Sequence, residues 1–435
     1  MNKTGLTQWG VTDLSRRRFL VGVGAVGSAA LLGGCATSAT SGPVAQTAGA
    51  VTVQSNLSSA QAKVAIEALA KAFSDRGGAT ATVNTVASET FRTQLPSYLT
   101  SGNPPDTYTW YPGSILTSYA QKGLLLDVGD VWQTMANYSD TFRRLSSDGQ
   151  GKQVFVPTSY YWWGLFYRKS NFAKWGVTPP SNWSEFVALC ETLKGKGIEP
   201  IGLGAGGNTP WIASSWFDYL NIRINGAQYH RDLLAGKGRF DDPKVVKVFD
   251  QWKTVLPYFD PSGTAIPFQD ATTSLLQGRT GMCLTGTFFA DAAPKDVLDD
   301  LDFFQFPILD PAVPVAEEGP TDGFFASAKT AHVAETKDWL KYVATAEAQE
   351  IYIKNSSGTV LPTHPDAKDS GTPLVLKGRK LLQDAKELTQ FFNRDSSDAL
   401  QPSADAALIR FIQKPNELTS ILSDWQTAAQ KVWSS

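Results

Sequence analysis

The chain runs to 435 residues, of which 42% are apolar and 18% charged. That length encloses more than one hydrophobic core, so two lobes are expected. A formal charge of -2 with no basic stripe argues against nucleic acid as a partner, and three Cys with three His argue against a cysteine framework or a structural zinc site.

The sequence Ser15-Arg16-Arg17-Arg18-Phe19-Leu20 leads into an apolar run over 19–32. That run is shorter than the ~20 residues of a spanning helix, so 1–34 reads as an export signal. Gly22, Gly24 and Gly27 lower its hydrophobicity, as in signals of the twin-arginine route. Leu32-Gly33-Gly34-Cys35 looks like a bacterial lipobox, in which Cys35 is lipidated and becomes the first residue. Such a lipid gains about 0.8 kcal/mol for each buried methylene and anchors the chain to the membrane. The Ser, Thr, Ala and Gly of 35–50 read as a flexible tether.

A strand at 51–53 is followed by Asn56 and Ser58 and then by Ile66, Leu69, Ala70 and Phe73, the apolar face of a helix. Gly77-Gly78 stops it, and 81–86 alternates as the next strand, so a βαβ unit with a parallel sheet is expected. A second helix over 89–99 and the turn Pro104-Pro105-Asp106 lead to a strand at 107–111 that ends in Trp110 and Tyr111. Ligands bind beyond the carboxyl ends of parallel strands. Asn56, Glu89 and Trp110 each follow a strand in that sense and converge on one edge.

The stretch 157–167, PTSYYWWGLFY, carries more aromatic rings than one strand face needs. It is expected to cross into a second lobe and line the cleft, with one parity packed and the other facing a ligand. Which of Trp162 and Trp163 faces the cleft stays open. Asn182 and Glu185 fit a capping box, and Cys190 lies on the apolar face of the helix that follows. The glycines of 201–207 lack the Lys and Ser/Thr of a phosphate loop. At least one of Trp211 and Trp216 is expected in the core. Strands are expected at 281–286, whose end at 285–287 presents backbone amides, and at 301–307, with another crossing at 322–325. From about Thr330 the chain reads as helices, over 335–353, 374–383, 404–413 and 418–432. Whether Cys190 and Cys283 pair is open.

These features together resemble the sugar-binding group of extracellular solute-binding proteins of bacterial ABC importers, the maltose-binding-protein type. The landmarks are the lipobox at Cys35, the strand and helix of 51–73, Ser101-Gly102-Asn103-Pro104-Pro105-Asp106, the crossover at 157–167, the glycine, Met and glycine pattern of 278–286, and Thr359-Val360-Leu361-Pro362. The resemblance implies an α/β, periplasmic-binding-protein-like fold of two lobes with several hinge crossings. It implies an N-terminal lobe of 51–157 with 281–328, and a C-terminal lobe of 158–280 with 329–435. It maps sugar contacts onto Asn56, Glu89, Trp110 and Tyr111 in the first lobe and onto Tyr160, Trp162 and Trp163 at the crossover, with Trp211, Trp216, Gly286, Thr287, Gly323 and Phe324 completing the wider set. Arg394, beside Asp395, is less typical of the type; it reaches a ligand hydroxyl or pairs at a domain surface. The function implied is capture of a neutral sugar, a di- or oligosaccharide, by lobe closure and its delivery to ABC permease subunits. The protein would be a monomer on the extracellular face of the cell membrane, held by its lipid alone, without cofactor and without catalytic residues.

Two alternatives remain at this level. One is a binding protein for another solute, a polyamine or a peptide; polyamine capture would ask for a cage of acidic and aromatic residues, such as Glu89, Trp110 and Trp162. A secreted glycoside hydrolase would need two carboxylates about 5 Å apart or somewhat more, and no acidic pair stands out. Metal capture is disfavoured because His230, His332 and His364 are scattered.

Overall fold

The computed structural model describes residues 49–434, so the expected leader, the lipobox at Cys35 and nearly all of the tether lie outside the described residues. Strands β1 (Ala50–Ser55), β2 (Thr80–Thr85) and β3 (Thr107–Trp110) are mutually parallel, with helices Ala60–Asp75 and Ser88–Thr100 between them. Ser59 caps the first helix by accepting the Ala62 N–H, and Ile66, Leu69, Ala70 and Phe73 are buried on its inner face. Asp106, at the foot of β3, accepts both the N–H and the hydroxyl of Thr52 at 2.8 Å and the hydroxyl of Thr330. That carboxylate gives the Pro-Pro-Asp turn its structural work, which is to fasten β3 to β1.

The chain then supplies β4 (Val156–Tyr160), β5 (Trp163–Arg168), β6 (Glu199–Gly202), β7 (Thr280–Gly286), β8 (Leu301–Phe304), β9 (Ala316–Glu318), β10 (Thr321–Ala326), β11 (Leu361–Pro362) and β12 (Glu387–Thr389). One sheet has the order β11-β4-β10-β3-β1-β2 and another β6-β7-β5-β8, while β9 and β12 form a parallel pair of their own. Two α/β lobes result, each built on one of the larger sheets. The stretch 157–167 divides between them: β4 lies in the first sheet, β5 in the second, and the Tyr161 N–H donates to Pro320 O at the junction.

The pairings partition the chain differently from the expected lobe boundaries. β7 and β8, expected in the first lobe, pair with β5 in the second sheet, and of the strands in 281–328 only β10 joins the first. Conversely β11 and the helices Val333–Val343 and Ala346–Asn355, expected in the second lobe, belong with the first. The reason is the apolar stripe of Ala60–Asp75, which needs a cover: Phe73 meets Trp339 at 5.3 Å and Tyr342 at 5.6 Å. Thr345 caps the second of these helices, so the expected continuous helix of 335–353 is two.

Cys190 and Cys283 are separate buried thiols, and burial pushes Cys283 up to about 12. Trp162 is wholly inside the second lobe, 5.6 Å from Phe303 and hard against Gly378 of helix Pro373–Asp384. A Cβ on Gly378 would stand 2.3 Å from the rigid indole. Gly378→Ala is therefore expected to destabilise the protein by about 1–3 kcal/mol. Urea denaturation should show the lower midpoint with an unchanged slope.

Candidate ligand-binding cleft

Between the lobes lies a cavity of about 860 Å³. The first lobe approaches it with the carboxyl ends of β1 and β3, the start of helix Ser88–Thr100 and the N-terminus of Ala60–Asp75. The second contributes Trp163 at the head of β5, Trp211, Phe268, Phe288 and the segment around Phe391.

Of the residues expected to meet a ligand, Asn56, Glu89, Trp110, Tyr111, Trp163, Trp211, Gly323, Phe324 and Arg394 line this cavity. Tyr160, Trp162, Trp216, Gly286 and Thr287 do not. Tyr160 points away, packing edge-on against Phe142 at 5.5 Å and lining a separate groove with Pro362 and Arg379. Trp216 is buried among Phe186, Phe259 and Phe306. Gly286 pairs with Trp163 in the ladder, under the rings of Tyr161 and Phe288. The Thr287 N–H, expected to face a ligand, donates to Trp162 O at 3.3 Å. The lining also includes Arg92, Tyr161, Asp291, Asp322, Phe391 and Asn393, which sequence reading passed over. Arg92 stands one helical turn after Glu89, and Asp322 and Asn393 adjoin residues already singled out, so proximity in sequence was the available signal.

The cations in the cavity lining, Arg92 and Arg394, are matched internally. Arg394 donates to Thr321 O at 2.7 Å, to Asp322 at 2.9 Å and to the Tyr161 hydroxyl at 2.8 Å, with its guanidinium 4.3 Å from the Tyr111 ring centre. Arg92 donates to Asp398 at 2.8 Å, an ion pair that ties the first lobe to the segment beyond Arg394. Burial raises the Glu89 carboxyl above its ordinary range, against the opposing pull of Arg92 and the Trp211 indole. Asp291 is likewise raised by burial, opposed by the hydroxyls of Ser357 and Ser59, both from the facing lobe. Asn56 is fixed by Thr109, which accepts its N–H at 2.9 Å and donates to its side chain at 2.7 Å.

The aromatic faces are unevenly committed. Trp110 stacks with Phe91 at 5.1 Å and with Tyr111 at 4.3 Å, and Trp163 with Phe391 at 4.6 Å. Half-buried Trp211 has no near-parallel partner among the described residues; Phe268 and Phe288 tilt against it and Phe391 meets it edge-on. Of the three indoles in the cavity lining, Trp110, Trp163 and Trp211, it alone has no stacked ring among the described residues.

The family model for bacterial extracellular solute-binding proteins matches residues 58–350. An uncharacterised ABC-transporter extracellular-binding protein of Pyrococcus horikoshii is 26% identical over 281 residues, and the match spans 63% of this chain and 61% of that one, under two thirds of the relative's length. The alpha-glucosides-binding periplasmic protein AglE of Rhizobium meliloti is 24% identical over 379 residues, 80% of each chain. The bacterial solute receptor AcbH, described with an exclusive preference for β-D-galactopyranose, superposes with a TM-score of 0.85 at 29% identity, over 88% of this chain and 99% of that one. The maltotriose-binding protein of Thermus thermophilus shares the fold with a TM-score of 0.71 at 16% identity, over 88% and 99% of the two chains. The two lobes are thus the periplasmic-binding-protein-like α/β fold.

Replacing Arg394 by Met keeps the volume of its stem but strands Asp322 without its counter-charge. A loss of about 2–3 kcal/mol is expected in chemical denaturation. The double variant Arg394→Met with Asp322→Asn should recover part of it, because the orphaned charge is gone.

Proposed function

Because this chain belongs to the bacterial extracellular solute-binding family, we propose that it captures a neutral sugar, a di- or oligosaccharide, between its lobes and hands it to an ABC permease. The observation that carries this reading is the pairing of every cation in the cavity lining. Arg394 is spent on Asp322, Thr321 and Tyr161, and Arg92 on Asp398, so an acidic or phosphorylated ligand meets no free counter-charge. A polyamine fares no better: burial pushes Glu89 and Asp291 toward their un-ionised forms, and Asp322 is neutralised by Arg394. A neutral sugar asks for an apolar plate for its C–H face and polar groups for its rim. Trp211 supplies the first, and Glu89, Asn393 and Gln269 are polar groups of the same lining.

The volume of about 860 Å³ suits a ligand larger than one ring, within the usual range for such sites. A monosaccharide is the second reading, favoured by the likeness to AcbH. On this proposal the protein is a non-enzymatic monomer, exported by its leader and anchored through lipidated Cys35 outside the cell. No helix among the described residues is long and apolar enough to cross a membrane.

A thermal-shift screen of the mature chain against D-galactose, maltose, trehalose, raffinose, spermidine and a glycerol phosphate tests the substrate class. A higher melting midpoint is expected with at least one neutral sugar and none with the charged compounds. A shift from spermidine or the phosphate alone would overturn the reading. With the sugar so found, Trp211→Ala should weaken binding about 10- to 100-fold by calorimetry, while Trp110→Phe, which keeps the stack with Phe91, should change it less than about threefold. Cys35→Ser should move the protein from the membrane fraction to the medium or periplasm.

A further inference from the structure

Consecutive residues of a strand face opposite ways, and β9 turns two acids to two different surroundings. Glu317 is met by the Arg223 guanidinium, by the Tyr219 hydroxyl at 3.1 Å and by the Gln305 amide at 2.8 Å. Glu318 is equally buried, and neither of its oxygens has a donor. A second wholly buried acid faces it, Asp218 of helix Ser214–Ile224.

Asp218 accepts the Phe392 N–H at 2.8 Å on one oxygen; the other has only His230 Nε2, at 3.6 Å. His230 Nδ1 lies 2.9 Å from the Asn221 amide nitrogen, and the Asn221 carbonyl is taken by Asn225. Nδ1 is therefore the acceptor, and the ring proton sits on Nε2. Burial drops the imidazole to about 3, so it is neutral and brings no charge to Asp218. Asp395 also faces both acids, and Arg231 and Arg394 act on Asp395; the hydroxyls of Tyr161 and Tyr219 lie near Glu318. Among the described residues no Lys or Arg pairs with Asp218 or Glu318, and no three His, Cys, Asp or Glu side chains converge on a metal position.

Two facing carboxylates that are both ionised repel each other, and one proton between them replaces the repulsion with a hydrogen bond. We propose that Asp218 and Glu318 share one proton, and that this protonated pair positions the 391–394 wall of the ligand cavity. The link is the Phe392 amide held by Asp218: its neighbours are Phe391, stacked on Trp163, and Asn393 and Arg394 of the cavity lining. The pair also joins β9 to helix Ser214–Ile224 of the second lobe. Only the role of the wall rests on the sugar-binding reading; the shared proton does not.

Burial raises both acids well above their usual range; Asp218 raises Glu318 further, while the contact from Glu318 opposes the rise at Asp218. For raised groups the stabilisation is complete below the unfolded carboxylate values, about 4, and is lost as pH climbs through the native value. The test compares the full chain with Glu318→Gln, which keeps a donor toward Asp218 but cannot ionise. At about pH 8, Asp395 and Asp405, both near 6, are ionised. There the wild-type infrared spectrum should still hold the C=O stretch of an un-ionised carboxyl that is absent from the variant. Raising the pH further should lower the wild-type melting midpoint by several degrees more than that of the variant. It should also move the Phe392 and Asn393 amide resonances in the wild type alone. Equal stability profiles, or no band assignable by difference, would overturn the proposal. Should the variant not fold, the wild-type band decides: it must vanish on alkalinisation together with the Phe392 resonance shift, and its absence at pH 8 refutes the shared proton. None of these readings requires a ligand, so a failed sugar screen leaves them intact.

Discussion

A buried guanidinium needs hydrogen-bond partners inside the protein, and Arg394 finds them on segments that are far apart in sequence. It bonds Thr321 and Asp322 at the head of β10, Tyr161 where the chain leaves β4, and lies on the ring of Tyr111 beyond β3. Those three segments are the point at which the first sheet, two crossings and the cavity meet. Remove the charge and the carbonyl, the hydroxyl and the carboxylate all lose a partner together, so the geometry of the cleft depends on one side chain more than on any single hydrophobic contact. Gly113 records how closely the surroundings are drawn in: a Cβ there would come within 2.1 Å of the Arg394 carbonyl oxygen, at a φ of 122° that side chains avoid.

The same economy governs the aromatic residues. Most rings in and around the cavity stabilise one another, and Trp110 and Trp163 are held by near-parallel neighbours. A stacked ring is rigid but has little face left to offer. The cleft thus combines a fixed aromatic scaffold with an unstacked indole at Trp211, an arrangement that loses little side-chain entropy when a ligand arrives.

Much of this was legible in the sequence where a local rule sufficed. Asn56, Glu89 and Trp110 follow parallel strands, and parallel strands bring their carboxyl ends to one edge, so their meeting in the cavity needed only the strand order. The choice between Trp162 and Trp163 was not legible, because parity holds only within one strand. β4 ends at Tyr160 and β5 begins at Trp163, and the two residues between them reset the count. Trp216 and Trp211 are alike as letters and are separated only by what packs on them. Gly286 and Thr287 looked like free amides because the residues that engage them, Trp163 and Trp162, lie more than a hundred positions earlier in the chain. The lobe boundaries failed for a related reason: the apolar stripe of Val333–Val343 states that the helix is covered, but periodicity does not name the partner.

The strand order carries a consequence for how the chain acquires its structure. β10, at 321–326, lies in the middle of the first sheet between β3 and β4, and β11, at 361–362, closes its edge. The four strands of the second sheet all fall within 163–304. As the polypeptide emerges from the ribosome, the lobe that starts later therefore completes its sheet earlier. The first lobe waits with β3 lacking its neighbour for some two hundred residues of synthesis, and contacts that distant in sequence form slowly.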